Sequence, residues 1–257
     1  MIVLNEHEWA EEMIASKSLG KKPFETLSRV GRYYLDEGRN KREARGMLDI
    51  FLLQCDPTAS LTKWSATLDA ALTRASKYNA VRVDYIDITV KEMEKIEKLE
   101  GVQLKRLAFT LLCLAKYWML VNEQNNYWVC CRDSEIMKMA NVSTSIKRQG
   151  LMYHTLFEAG LIQFSKKIDN TKVRVCFAED GETAVRVADM RNLGYQYMMV
   201  SGDTGYYQCQ NCGLISKKNT SPSPELPARS GRPQKYCKEC ASALHIKSHV
   251  DSIMKAQ

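Results

Sequence analysis

The chain has 257 residues, enough for one large domain or for two to three small ones. Hydrophobic residues make up 45% and charged residues 26%, the proportions of a globular protein with a core. The longest apolar stretch, residues 107–115, ends at Lys116 and is far shorter than the about 20 residues that span a bilayer. The N-terminus lacks the basic and then apolar segments of a signal peptide. We therefore expect a cytoplasmic protein without a membrane partner.

The first hundred residues carry helical patterns joined by short connections. Apolar residues at helical spacing predict helices over residues 6–17, 23–34, 41–55 and 60–77. Asn40 is placed to cap the third of them, and Thr89 with Glu92 forms a capping-box pattern ahead of a charged helix. An alternating run over residues 81–86 predicts a short strand. Residues 1–103 therefore read as a helical N-terminal domain.

The pattern changes at residue 104. The predicted elements are a long apolar helix (104–123), a strand (127–131), a short helix capped by Asp133 or Ser134 (135–140), a helix ended by Gly160 (144–159) and two strands of a hairpin (161–167 and 172–178). Residues 181–204 are predicted to be a connector. The order is helix, strand, short helix, turn, helix and hairpin.

This order, together with the runs SEIMKMANVSTSIKRQGLMYHTLFEAGLI and SKKIDNTKVRV, resembles the winged-helix domains of bacterial and phage regulators and replication proteins. The resemblance covers residues 105–178. It implies that the helix over residues 144–159 enters the major groove of DNA and that the hairpin, the wing, contacts the phosphate backbone. We expect Ile146, Gln149, Gly150, Tyr153, Leu156 and Phe157 to face the core, with Leu151 and Met152 off that face.

The candidate nucleic-acid contacts share a polar or basic side chain and a position on the predicted outer surface. They are Ser143, Thr144, Ser145, Lys147, Arg148, His154 and Thr155 around the helix, Lys166, Lys167, Lys172 and Arg174 in the wing, and Arg229, Arg232 and Lys235 in a proline-rich loop. The free amides at a helix N-terminus, where the three hydroxyl residues lie, can meet a phosphate. Leu151 and Met152 leave an alternative open, in which they pack on the N-terminal helices or on a second subunit.

The nine cysteines fall into two groups. Five lie in apolar patterns and are predicted to be small buried residues: Cys55, Cys113, Cys130, Cys131 and Cys176. The other four form two CxxC pairs, Cys209 with Cys212 and Cys237 with Cys240, separated by 24 residues. Such pairs in a reducing compartment are typical of metal ligands.

Four thiolates suit one tetrahedral Zn²⁺ and leave no open position for a catalytic water, so we expect a structural ion. Gly213 follows the first pair and permits the left-handed backbone of a metal knuckle. Residues 205–257, which end in a predicted helix over 241–256, resemble a treble clef or zinc ribbon. The predicted fold class is therefore mainly α, with a helical N-terminal domain (1–103), a winged helix (104–180), a connector (181–204) and a zinc module (205–257).

The net charge of +7 is concentrated in the two candidate binding modules. Residues 132–176 contain eight Lys/Arg and four Asp/Glu, and residues 205–257 contain eight and three. This distribution indicates a partner rich in phosphate. We predict a DNA-binding protein, either a transcriptional regulator or a replication-initiation factor.

The chain is also similar to proteins of phages and mobile elements of Firmicutes, in the apolar stretch before Cys55 and in residues 191–197, which implies a mobile-element context. The alternative is a protein-binding adaptor or inhibitor that acts on host machinery or a defence complex and uses the winged helix as a scaffold. Neither a phosphate-cradling glycine loop nor a paired-carboxylate motif is found, so an enzyme is not predicted. The choice of DNA over RNA and the oligomeric state, with a homodimer among the options, stay open.

Overall fold

The computed structural model describes residues 2–123, 126–166, 172–218 and 234–244. The chain divides into two units after Asp84, one formed by residues 2–84 and the other by residues 85–257. We call them the N-terminal and the C-terminal unit. Helix is the main secondary structure of both.

The N-terminal unit is built from four helices: α1 (Glu6–Ala15), α2 (Pro23–Asp36), α3 (Lys41–Cys55) and α4 (Leu61–Ala75). Local sequence signals explain where the helices α2, α3 and α4 begin. Pro23 occupies the first position of α2, where its missing N–H costs nothing. Asn40 and Glu43 form a capping box at α3, and the side chain of Ser60 caps α4. The apolar stripes of α2, α3 and α4 meet in a core that includes Leu27, Leu48, Phe51 and Leu68.

A buried carboxylate joins the two ends of the N-terminal unit. Glu6, at the start of α1, is 8% exposed and forms ion pairs with Arg29 and Arg32 of α2. Its Oε2 also accepts a hydrogen bond of 3.3 Å from the backbone N–H of Val81. The carboxylate is therefore compensated on several sides, as a buried charge requires.

The C-terminal unit is arranged around one apolar helix. Its elements are β1 (Ile86–Thr89), α5 (Val90–Glu97), α6 (Val102–Asn122), β2 (Trp128–Val129), α7 (Asp133–Met139), α8 (Ile146–Glu158), β3 (Ile162–Phe164), β4 (Val173–Val175), β5 (Thr183–Val187), α9 (Leu193–Val200), β6 (Tyr206–Gln208) and β7 (Ile215–Lys217). Helix α6 is buried along most of its length. It packs against the helices α5, α7, α8 and α9 and against the strands β1, β2 and β4. The predicted capping box of Thr89 and Glu92 is confirmed at the start of α5.

The described part of the C-terminal unit contains three small antiparallel sheets. Strand β1 pairs with β5, and β6 pairs with β7. The third sheet has the order β2-β4-β3, so that Arg174 in the central strand lies opposite both Trp128 and Gln163. The observed order α6, β2, α7, α8, β3, β4 is the order that the sequence predicts.

The structure differs from the sequence-based boundaries at three places. The predicted strand over residues 81–86 lies instead at Ile86–Thr89, where β5 supplies its partner. Because β1 and α5 pack against α6 and β5, they belong to the C-terminal unit, and the division falls at residue 84 rather than 103. The segment 181–204, predicted to be a connector, contains β5 and α9.

The N-cap of α7 lies one or two residues before the predicted cap, Asp133 or Ser134. Its N-cap is Arg132, whose side chain makes no capping hydrogen bond, and Asp133 is already helical. Across the residues that the structure describes, no helix combines the length and apolarity needed to cross a membrane.

Candidate metal centre and nucleic-acid interface

The four cysteines of the two CxxC pairs form a single cluster. The Sγ atoms of Cys209, Cys212, Cys237 and Cys240 all lie within 4.8 Å of one another. The first pair lies on the turn between β6 and β7, and the second lies where residues 238–244 begin a helix. All four cysteines are free of disulfide bonds. This cluster can hold one metal ion.

The spacing within the cluster fits a tetrahedral ion. Cys212 Sγ and Cys237 Sγ are 3.7 Å apart, and four sulfurs at the usual zinc–sulfur distance are separated by about 3.8 Å. Gly213 adopts the predicted left-handed conformation, with φ of +71°. Its N–H donates to the carbonyl oxygen of Cys209 at 2.9 Å and closes the turn.

Donor groups converge on the sulfurs. The N–H of Cys237 donates to Cys209 Sγ at 3.2 Å, and Asn211 Nδ2 donates to Cys240 Sγ at 3.3 Å. Burial raises the pKa of Cys209, but backbone N–H donors from Cys237, Cys212 and Asn211 outweigh it and lower that pKa to about 6. Burial and the neighbouring sulfurs raise the pKa of Cys212. A cation bound among the four sulfurs would stabilise them as thiolates.

A short segment before α9 ties this cluster to the turn between α7 and α8. Arg191 Nη2 donates to the carbonyl oxygen of Cys212 at 2.8 Å, and Asn192 Nδ2 donates to the carbonyl oxygen of Ile215 at 2.9 Å. Asn192 Oδ1 in turn accepts from Asn141 Nδ2 at 3.0 Å. Asn141 and Asn192 both have φ near +50°, a left-handed conformation that asparagine tolerates better than most residues.

Arg106 of α6 also contacts the turn between α7 and α8 and the start of α9. Its Nε donates to the carbonyl oxygen of Ala140 at 3.0 Å, and its guanidinium lies 5.2 Å from the centroid of the Tyr195 ring. Gly194 packs so closely on Ala140 that a Cβ there would lie 1.8 Å from the Ala140 oxygen. The cysteine cluster and the turn before α8 are therefore connected by a continuous series of hydrogen bonds.

Helix α8 begins two residues later than predicted, because Ser145 caps it and accepts from the N–H of Arg148. The candidate contacts Ser143, Ser145, Lys147, Arg148, His154 and Thr155 are exposed, and Thr144 is half-buried. In the described part of the chain, Lys147 and Arg148 take part in no salt bridge, whereas His154 lies 3.4 Å from Glu158. The hydroxyl of Thr155 donates to the Leu151 carbonyl.

The predicted core face of α8 is partly wrong. Met152, Tyr153 and Leu156 are buried, but Ile146 and Phe157 are 86% and 46% exposed, and Gly150 is exposed as well. The buried stripe is rotated by about one residue, which brings Met152 inside. Leu151, at 60% exposed, keeps its predicted outward position.

The predicted wing contributes three described candidates. Lys166, Lys172 and Arg174 are exposed. The ring of Phe164 in β3 lies 5.4 Å from that of Phe157, so the sheet adjoins the C-terminal end of α8. Lys167, Arg229 and Arg232 lie outside the described residues, as does most of the predicted helix over 241–256.

Lys235 lies beside the cysteine cluster rather than on α8. It is exposed, and its carbonyl oxygen accepts from the N–H of Gln210 at 2.9 Å. It therefore lies on the surface around the cysteine cluster.

Two of the five cysteines expected to be buried are exposed. Cys113 is buried and Cys55 and Cys131 are half-buried, but Cys130 and Cys176 are exposed. Cys176 follows β4, in which Val173 and Val175 are buried and Arg174 is exposed. The alternation of a strand places Cys176 on the outer side with Arg174.

The sequence does not reveal the role of Asn141, Arg191 and Asn192, which connect the cysteine cluster to the turn before α8. Their partners are backbone carbonyls and one another, and such contacts leave no spacing pattern in the sequence.

No protein-family model, no curated protein and no solved structure matches the chain. The resemblances to winged-helix, zinc-ribbon and mobile-element proteins therefore stay predictions.

Proposed function

We propose that this protein binds double-stranded DNA through a winged helix formed by α6–β4, as a transcriptional regulator or a replication-initiation factor. The observation that carries the proposal is the outer surface of α8. It presents Lys147 and Arg148 without an acidic partner among the described residues, and Glu158 at its end is the helix's one acidic residue. Unpaired cations on one helix suit the phosphates and base edges of DNA.

The sheet supports this proposal with a second basic surface. Strands β3 and β4, which follow α7 and α8, pair as an antiparallel hairpin, and β2 pairs with the other edge of β4. In a winged helix such a hairpin would contact the DNA backbone beside the recognition helix. Arg174 lies on the exposed side of the central strand. Phosphate contacts from the hairpin would fix the orientation of α8 on the duplex.

The four-cysteine cluster holds one Zn²⁺ in this proposal. Four sulfurs, the separation of 3.7 Å and the N–H donors around them fit that ion. Zinc with four thiolates keeps no open position, so its role is to hold the knuckle and the start of the last helix together. Non-catalytic zinc agrees with a binding protein rather than an enzyme.

Salt-dependent binding to mixed-sequence duplex DNA tests the proposal. We expect the affinity of the zinc-loaded protein to fall steeply with salt, because bound cations release counterions from DNA. The double substitution Lys147→Ala/Arg148→Ala should weaken binding and make the plot of log K against log salt shallower by about two. Lys77→Ala/Lys91→Ala removes two exposed charges elsewhere and serves as the matched control.

The alternative, a protein-binding adaptor or inhibitor, is favoured by a groove beside α8. The groove has a volume of about 600 Å³ and lies between residues 98–104 and Arg148, Leu151, Met152 and Thr155. Leu151 and Val102 are 60% and 50% exposed there. If the folded, zinc-loaded protein fails to bind duplex DNA at low salt, this alternative replaces the first proposal.

A further inference from the structure

Three aromatic rings lie together on the surface where α8 meets β3. The ring centroids of His154 and Phe157 are 6.4 Å apart, and those of Phe157 and Phe164 are 5.4 Å apart. Phe157 and Phe164 are 46% and 44% exposed, and the side chain of His154 is 61% exposed. We call these three residues the aromatic cluster. Each of its rings contacts a neighbouring ring and still keeps a large part of its surface open to solvent.

The aromatic cluster differs from other exposed rings of the chain. Tyr85, for example, is covered by the guanidinium of Arg186, which lies 4.7 Å from the ring centroid. Among the described residues, no side-chain cation lies over Phe157 or Phe164 in this way. None of the three cluster residues lines the groove between residues 98–104 and α8. Since adjoining apolar groups that stay open to solvent can mark an interaction surface, the cluster is a candidate binding site of its own.

Basic side chains border the phenylalanine end of the cluster. The N–H of Ser165 donates to the carbonyl oxygen of Lys172 at 3.0 Å, and Lys166 comes next in the chain, so both lysines lie at the end of the hairpin. Both are exposed. Glu158 contributes an acidic group at the other end, where its Oε2 lies 3.4 Å from His154 Nδ1. The open faces of the two phenylalanines therefore adjoin positive charge.

We propose that the aromatic cluster is a second nucleic-acid site, at which unpaired bases of single-stranded DNA stack on Phe157 and Phe164. Aromatic side chains bordered by basic groups bind single strands in this way, because every base has a flat face and every nucleotide carries a phosphate. Lys166 and Lys172 supply the positive charge for the phosphates. Stacking within a duplex covers the faces of its bases, so this site goes beyond the duplex binding proposed above. Only the choice of DNA as the strand rests on that proposal.

The test compares two single strands that differ in their bases alone. The probe is a labelled oligothymidine of about 12 nucleotides, within the range that one such surface covers, and the comparison is an abasic strand with the same number of phosphates. Fluorescence anisotropy measures both affinities. We expect the folded, zinc-loaded protein to bind the oligothymidine at least tenfold more tightly, since the abasic strand has no rings to stack.

Two double variants separate ring stacking from apolar contact. Phe157→Leu/Phe164→Leu keeps apolar side chains without ring faces and should lose about tenfold in affinity for the oligothymidine, with its affinity for the abasic strand unchanged. Phe157→Tyr/Phe164→Tyr keeps the ring faces and should bind as the wild type does. Tyr78→Leu, at a ring that is 64% exposed in the N-terminal unit, is the matched control and should also bind as the wild type does. Melting curves verify that each variant is folded.

Equal affinity of the wild type for the two strands would overturn the inference. An equal loss on both strands in the leucine variant would also overturn it, because the cluster would then not contact the bases. A folded tyrosine variant that binds as weakly as the leucine variant would exclude ring stacking.

The outcomes also separate this inference from the proposed function. If the wild type binds oligothymidine through the cluster but binds no duplex DNA, only the proposed function fails. If it binds duplex DNA in a manner that needs Lys147 and Arg148, but does not bind oligothymidine, only the inference fails. A folded protein that binds neither would contradict both.

Discussion

Lys116 Nζ lies 2.7 Å from Glu92 Oε2 inside the C-terminal unit, and it also donates to the carbonyl oxygen of Asp87 at 2.7 Å. Glu92 is fully buried. Its two oxygens accept further hydrogen bonds from the N–H groups of Thr89, at 2.7 Å, and Glu179, at 2.8 Å. This single carboxylate thus joins β1, α5, α6 and the segment that leads to β5.

Lys116→Met should destabilise the protein by about 3–5 kcal/mol, because it leaves the buried carboxylate of Glu92 without its cation. The double variant Lys116→Met/Glu92→Gln should recover about 1 kcal/mol or more of that loss, since glutamine keeps an acceptor for the N–H groups without a charge. Urea unfolding of both variants measures these values. A loss below 1 kcal/mol for the single variant would contradict the structural role of the pair.

Arg191→Ala should weaken zinc binding about tenfold, because groups that support metal ligands contribute to affinity without touching the ion. Arg191 supports the Cys212 carbonyl. Competition against a chromophoric chelator measures the affinity. Arg186→Ala, which removes an arginine paired with Asp87 on the β1–β5 sheet, is the control. Equal zinc affinity in the Arg191 variant and the wild type would show that the contact is dispensable.

Arg174→Ala should reduce affinity for all duplex DNA sequences to a similar degree, since a phosphate contact carries no base information. The plot of log K against log salt should become shallower by about one. Because Arg174 is exposed, the melting temperature should stay near that of the wild type. Lys91→Ala provides the matched loss of one exposed charge. An unchanged salt slope for Arg174→Ala would show that Arg174 makes no contact with the DNA.

Stability should fall in alkaline solution partly through Tyr197. Its hydroxyl donates to Glu97 Oε1 at 2.5 Å, and burial together with this hydrogen bond raises the pKa of Tyr197 to about 12. The unfolded chain ionises its tyrosines near pH 10. The raised pKa means that the protonated hydroxyl of Tyr197 stabilises the folded state. This contribution is complete below about pH 10 and is lost as the pH rises through about 12.

Tyr197→Phe tests this dependence, since it removes the ionising group. Its unfolding free energy should decline less steeply than that of the wild type between about pH 10 and 12. Tyr85→Phe, at a tyrosine that is 42% exposed, is the comparison for the loss of a tyrosine hydroxyl elsewhere. Parallel curves for Tyr197→Phe and the wild type would refute the assignment.

Local signals predicted the parts of the fold that depend on local physics. Asn40 and the capping box at Thr89 and Glu92 lie where the helices α3 and α5 begin, because a cap acts within one turn. The two CxxC pairs came together as predicted, because thiol spacing is itself the requirement for a shared ion.

The features that sequence reasoning missed depend on distant partners. Strand β1 could not be placed because its partner β5 lies about 100 residues away, and β5 itself was assigned to a connector. Periodicity grouped the residues of α8 into faces, but the surface of α6 and the sheet decides which face is buried. For that reason Met152 is inside while Ile146 is outside.

The pairing of β1 with β5 has a consequence for synthesis on the ribosome. Asp87 in β1 and Arg186 in β5 form an ion pair across 99 residues of chain. At the usual rates of translation, roughly 5–20 s pass between the synthesis of β1 and the synthesis of β5. During that interval its apolar Ile86 and Ile88, which are buried in the finished protein, lie on an unpaired strand edge. Such an edge can pair with other chains, so the nascent protein should benefit from a chaperone until residue 187 has emerged.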